Sequence, residues 1–180
     1  MPCLPCATAA RTRSARCGPD GRISRRCPLP RILLPAKIES CAPAMDFLRE
    51  HLAEEYGDMI GFVELAVEEL LVNVVRYAYA EGSAPAPEVP PDKWGMLELG
   101  FRHASMDDVP FLCVWIRDWG APFDPFLEAP KPDISLSAED RDIGGLGVHL
   151  VRNVSAHHCY SGTDGENTIE LYFKIESDAA

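Results

Sequence analysis

The 180-residue sequence predicts an α/β fold. Three segments, Met96–His103, Phe111–Asp118 and Asn167–Ile175, alternate apolar and polar residues with the period of a strand. Helical periodicity runs from Met59 to about Ala80, with Phe62, Leu65, Ala66, Leu70 and Val74 assigned to the apolar side. A second helix is expected over Gly145–Ala156, opening on glycines.

The remaining elements follow in order along the chain. Residues 1–30 have the Pro, Arg, Gly and Ser content of a disordered tail, so the domain is placed at residues 31–177. Arg31–Lys37 reads as a short strand. Ser40 is placed as the N-cap of a helix through Met45, Phe47, Leu48 and Leu52, which Gly57 is expected to stop. Gly82–Pro91, rich in Pro and Ala, reads as a loop. Pro125–Ile143 holds three Pro and five acids with little periodicity, the pattern of a long lid-like or disordered loop. No internal repeat is visible.

Composition narrows the function. With 47% hydrophobic residues the chain can bury a real core, and no apolar run reaches the roughly 18–20 residues that span a bilayer. Residues 1–31 carry seven Arg against one Asp, whereas the rest holds 10 basic and 27 acidic residues. An acidic body argues against direct nucleic-acid binding, which needs clustered Lys and Arg. Four of the seven cysteines (Cys3, Cys6, Cys17 and Cys27) fall in the basic leader. Cys3-x-x-Cys6 lacks a second close pair to complete a zinc site, and the leader lacks the apolar centre of a secretory signal. Cys41, Cys113 and Cys159 stand singly, which suits a reducing cytoplasm better than a disulfide framework.

Three short stretches carry chemistry. Glu69 and Asn73 lie one helical turn apart and project from one face. An Asn amide oxygen is a hard ligand suited to Mg²⁺, and a neighbouring Glu can hold a metal-bound water or accept a proton from an attacking hydroxyl. The plain alternative is a solvated helix stripe with Glu64 and Glu68. Arg76, one turn beyond Asn73, can meet phosphate or pair with an acid. In the strand Phe111–Asp118, Asp118 shares a face with Leu112, Val114 and Ile116, an unusual place for a carboxylate without a partner. An acceptor there can take the exocyclic amine of adenine, Gly120 serving as a permissive turn behind it; the alternative is an ordinary turn Asp. Gly144, Gly145 and Gly147 let backbone amides approach an anion at a helix start, or form a hinge. No Gly-Lys-Ser/Thr P-loop occurs.

In this order and spacing, Glu69-x-x-x-Asn73, Asp118-x-Gly120-x-Pro122-Phe123-Asp124 and Gly145-Leu146-Gly147 resemble the N, G1 and G2 boxes of the GHKL ATPase superfamily, which includes gyrase B, MutL and the histidine kinases. Within it the chain resembles the bacterial anti-sigma factor serine-protein kinases, over roughly Arg31 to Ile175. The resemblance implies a Bergerat-type ATP-binding fold, an α+β two-layer sandwich with a mixed sheet and helices on one face. It implies ATP and Mg²⁺ as ligands, and as partners a sigma factor and an anti-anti-sigma protein phosphorylated on serine or threonine. The single cysteines and the lack of a long apolar run suggest a cytoplasmic protein with no membrane contact, and a sheet open on one side would leave Phe111, Cys113 and Trp115 available to a second subunit in a homodimer.

Residue by residue, the resemblance makes Glu69 the general base and Asn73 the Mg²⁺ ligand. It places Arg76, Tyr77, Asp118, Gly120, Phe123, Gly144, Gly145, Leu146 and Gly147 around the nucleotide. Superfamily members often place a Thr behind adenine on the last strand; strand parity here puts Asn167, not Thr168, on the inner face. Lys131 and Arg141 are the cations of the lid, either of which can reach the γ-phosphate. Two other functions remain open: a non-catalytic ATP-dependent binding module, and a detached histidine-kinase catalytic domain. For the latter no phosphoacceptor hairpin is visible, and His149, inside the helix after the glycines, reads as a packing residue. Phe111, Cys113 and Trp115 fall on the face opposite Asp118 and read as sheet packing.

Overall fold

A computed structural model describes residues 29–79, 82–128, 146–163 and 165–176. Five strands form one sheet: β1 (Arg31–Pro35), β2 (Met96–Met106), β3 (Val109–Asp118), β4 (His157–Thr163) and β5 (Glu166–Lys174), in the spatial order β1-β2-β3-β5-β4. Helices α1 (Cys41–Asn73) and α3 (Leu146–Val154) cover one face, and a single turn, α2 (Pro125–Glu128), follows β3. The expected α/β architecture with helices on one face is what forms.

Every pairing in the sheet is antiparallel, which corrects the expected mixed sheet. β3 and β4 do run in the same direction, but β5 returns from β4 and inserts between them, so the two never pair directly. β2 and β3 are longer than their alternation suggested. They meet at a two-residue turn in which Asp107 and Asp108 have φ of 50° and 62°, the left-handed pair that a tight hairpin twist requires.

α1 is one element where two helices were expected. Its break falls at Tyr56 (φ −126°, ψ 33°), one residue before Gly57. Tyr56 is buried, and its hydroxyl lies 2.6 Å from Nε2 of His103 at the end of β2, so the bend is anchored to the sheet. Ser40 does not cap the helix through its side chain; its hydroxyl donates instead to the Pro35 carbonyl at 2.7 Å. Beyond the bend the buried set is Val63, Ala66, Val67, Leu70, Leu71 and Val74, a regular i, i+3, i+4 stripe. Phe62 and Leu65, assigned to the apolar side, are 54% and 37% exposed. This half of the helix is apolar nearly all round, so periodicity alone could not fix which stripe the sheet covers.

That stripe packs on Leu97, Leu99 and Phe101 of β2, Leu112, Val114 and Ile116 of β3, and Ile169, Leu171 and Phe173 of β5, with Val148 and Val151 of α3 closing the layer. Truncating a fully buried leucine here, such as Leu70 or Leu99, removes about 2–5 kcal/mol of stability. Among the described residues no helix is long and apolar enough to cross a membrane. Of the expected leader, residues 1–30, residues 1–28 lie outside the described residues, and the Pro30 carbonyl accepts from the Phe101 amide at 3.3 Å.

Candidate nucleotide site

Asp118 is the last residue of β3, paired with Leu97 on one side and Asn167 on the other, and only 5% exposed. Its Oδ1 accepts two hydrogen bonds of 2.9 Å, from the Gly120 amide and from Nδ2 of Asn167. The same Asn167 amide reaches the carbonyls of Gly120 and Ala121, while its Oδ1 accepts the Tyr160 hydroxyl at 2.8 Å. Strand parity therefore located Asn167 correctly beside Asp118. Burial raises the Asp118 pKa above the ordinary carboxylate value, against the two N–H donors that favour the charged form. Both donors use Oδ1; among the described residues nothing donates to Oδ2.

Gly120 is required for a different reason from the one expected. Its φ is not positive, but a Cβ at that position would stand 2.2 Å from the Ala78 carbonyl oxygen. The turn after β3 thus lies directly against the end of the α1 segment, and the Ala121 amide donates to that same carbonyl at 2.8 Å. Tyr79 completes the joint: its buried hydroxyl accepts from the Trp119 amide at 2.9 Å and donates to the Met96 carbonyl at 2.5 Å.

Asn73 ends α1, and Val74–Ala78 continue it as a single π-helical turn. An inserted π turn re-aims the side chains behind it and is a frequent mark of functional sites. Here Asn73, Tyr77 and Ala78 line one hollow together with Asp118, Ala121, Phe123, Pro125 and Ile169. The Tyr77 and Phe123 rings, 5.8 Å apart, form its outer wall. The hollow measures only about 20 Å³, whereas small-molecule pockets usually enclose about 300–1,000 Å³. As it stands the hollow is too small for a base, and Tyr77 in its wall is 52% exposed. The donor types suit a magnesium nucleotide: a hard amide oxygen on Asn73 and a buried carboxylate acceptor on Asp118 line the same hollow.

Glu69 lies one turn before Asn73, half-buried, with its carboxylate against Gly147 in the first turn of α3. Leu146 is exposed. Gly144, Gly145, Lys131 and Arg141 fall outside the described residues. Arg76 is exposed and makes no ion pair among the described residues. His149 is half-buried within α3, as a packing residue should be.

The sequence reading passed over Ala78, Tyr79 and Tyr160, which shape the site without touching it through a recognisable motif. Tyr79 and Tyr160 are half-buried, and each hydroxyl is hydrogen-bonded. The other face of the sheet is closed by its own side chains. Arg102 pairs with Glu170 at 2.6 Å, Arg117 with Glu166 at 2.9 Å, and both Arg31 and Arg117 with the buried Glu98. Under them Trp115 and Cys113 are buried, the latter a neutral thiol whose pKa burial pushes up to about 12. A hollow of about 340 Å³ on that face is lined by Arg31, Arg102, Arg117 and Glu170 together with Leu29, Trp115 and Thr168, and shares no residue with the Asn73–Asp118 pocket.

Residues 34–173 match the family described as the histidine kinase-like ATPase domain, to which the chain therefore belongs. The chain is 27% identical over 125 residues to the serine/threonine-protein kinase BtrW of Bordetella bronchiseptica, covering 68% of this chain and 78% of that one. A solved structure of the RsbU and RsbW domains of Rv1364c from Mycobacterium tuberculosis aligns with a TM-score of 0.46 and 18% identity, over 83% of this chain and 33% of that one. This chain thus spans a third of that longer protein.

Proposed function

We propose that this ATPase domain is a cytoplasmic serine/threonine-protein kinase acting as an anti-sigma factor, which phosphorylates an anti-anti-sigma partner. The observation that carries the reading is the presence of Asn73 and Asp118 in one hollow, with Glu69 one helical turn before Asn73 and against Gly147. Asp118 Oδ2 supports recognition of adenine, because it can accept an N–H of the 6-amino group, where guanine carries a carbonyl oxygen. Asn73 would hold Mg²⁺, whose charge neutralises the phosphates when bound. Glu69 accepts the proton of the partner's hydroxyl as that oxygen bonds to the γ-phosphorus. The bond from phosphorus to the bridging oxygen breaks, and ADP leaves with the electron pair. Little covalent work falls to the protein, so positioning and electrostatics supply most of the catalysis. The motif likeness to anti-sigma kinases supports the partner class, and the similarity to a serine/threonine-protein kinase supports the acceptor type.

The test is a pull-down with and without Mg-ATP, followed by phosphosite mapping on the retained proteins. The expected result is an acid-stable phosphate on a serine or threonine of a retained partner. Acid-labile label on a histidine would make the chain a histidine-kinase domain, and nucleotide-dependent retention without label would make it a binding module. Glu69→Ala should leave ATP affinity intact while transfer falls by about 10²–10⁴-fold, the usual contribution of a general base. Calorimetry showing affinity lost together with transfer would contradict the division of roles between Glu69 and Asn73.

A further inference from the structure

We propose that Gly147 is a positioning residue for Glu69: its missing side chain lets the carboxylate lie against the first turn of α3. A Cβ built on Gly147 would stand 2.0 Å from Glu69 Oε2, 2.8 Å from Cδ and 3.3 Å from Cγ. Those separations are impossible, so any other residue would force the outer half of the glutamate to swing away.

Backbone conformation gives no competing reason for glycine at this position. The φ of Gly147 lies outside the left-handed range, and helix interiors ordinarily disfavour glycine relative to alanine. The contrast with α1 is direct. Gly57 and Gly61 have nothing within 4 Å of a built Cβ, so their surroundings tolerate a side chain, while those of Gly147 do not. Gly120 shows the same principle at the other end of the pocket, where the obstructing atoms belong to the Ala78 backbone. Both motif glycines thus register their segments onto the α1 helix and its π-helical end. Gly120 sets the turn that bears Asp118; Gly147 sets the base.

The nature of the contact predicts an unusual phenotype. Glu69 is half-buried, and the colliding atoms are the far end of a flexible chain, so the fold can absorb a methyl group by rotating the glutamate. The base then leaves its place while the nucleotide pocket stays formed. In its catalytic consequence the inference rests on the kinase reading above, whereas the contact itself does not.

The experiment compares the full chain with Gly147→Ala, Glu69→Ala and the double variant. In nucleotide-free protein, the ¹³Cδ resonance of Glu69 should shift in Gly147→Ala. Calorimetric affinity for Mg-ATP should stay within about threefold, while hydrolysis of Mg-ATP, with water in place of the acceptor hydroxyl, falls by at least about 100-fold. The double variant should lose no more than Glu69→Ala alone, because both changes remove one function. An unmoved Glu69 resonance, multiplying losses in the double variant, or a tenfold loss of affinity would each overturn the inference, the last by assigning the glycine to phosphate directly. If the unaltered chain binds no Mg-ATP, the kinase reading fails, and the Glu69 resonance still decides the contact.

Discussion

At the scale of single residues, the arrangement around Asp118 separates function from stability. Both of its hydrogen bonds end on Oδ1, so an asparagine can keep them with its own Oδ1 and place an amide where Oδ2 stood. Folding loses little by this change. A carboxyl whose folded pKa is raised prefers the protonated form in the native state, so its ionisation opposes folding as pH rises from the unfolded pKa to the folded one. Asp118→Asn abolishes that opposition. The variant is therefore expected to melt within about 2–4 °C of the parent at pH 7, equivalent to about 1 kcal/mol, while Mg-ATP affinity falls by about 10²-fold or more. Paired thermal melts and calorimetry check it; unchanged affinity would place adenine elsewhere.

A second residue carries a pH dependence of opposite direction and the same leading cause, burial. His158, on the inner side of β4, stacks on Phe126 of α2 at 4.2 Å, and its buried Nδ1 has no hydrogen-bond partner among the described residues. Burial, then the neighbouring Arg152, lowers its pKa, with His157 acting the same way and Asp124 opposing. The folded state thus prefers the neutral ring. Its stabilisation is full above the unfolded value of about 6.5 and is lost as pH falls below it. Melting temperatures from pH 7.5 to 5 should decline more for the parent than for His158→Phe, and parallel curves would remove His158 from the account.

Among the elements, the strands and the long helix were legible because their periodicity is strong, and β4 was not. β4 is an edge strand reading His157-His158-Cys159-Tyr160-Ser161-Gly162-Thr163, polar or small on both sides, with no apolar alternation to announce it. What commits it to the sheet is tertiary: pairing with β5 and the stacking of His158 under α2. For the proposed site residues, the shared faces were legible for related reasons, while their roles come from the motif likeness. Glu69, Asn73, Asp118 and Asn167 follow from helical spacing and strand parity, which fix faces. The π turn, the docking of Gly120 on Ala78 and the Tyr79 hydroxyl depend on which segments meet, and spacing within one segment says nothing of that. The misassigned Phe62 and Leu65 belong here too: a helix that is apolar on most sides offers several stripes, and only the sheet selects one.

For the molecule as a whole, one layer of helices on one sheet leaves the second face to be closed by side chains. Alternating arginine and glutamate pairs over Trp115 do this among the described residues, with Leu29 at the same hollow. Deleting residues 1–28 is accordingly expected to leave melting temperature and Mg-ATP affinity nearly unchanged, and a fall of more than about 4 °C would show that the leader contributes about 1 kcal/mol or more to the domain. The strongly acidic body, with 27 acidic against 10 basic residues beyond residue 31, also sets the sign of long-range steering and favours partners with basic surfaces.

The central claim is that Asn73 and Asp118 hold opposite ends of one nucleotide and that the buried carboxylate chooses its base. A calorimetric titration of the full chain with Mg-ATP and, separately, Mg-GTP addresses it most directly. Guanine would present an oxygen to Asp118 Oδ2 where adenine presents a donor, so the account predicts binding of ATP and at least about 100-fold weaker binding of GTP. Equal affinities, or no binding of either nucleotide, would contradict it.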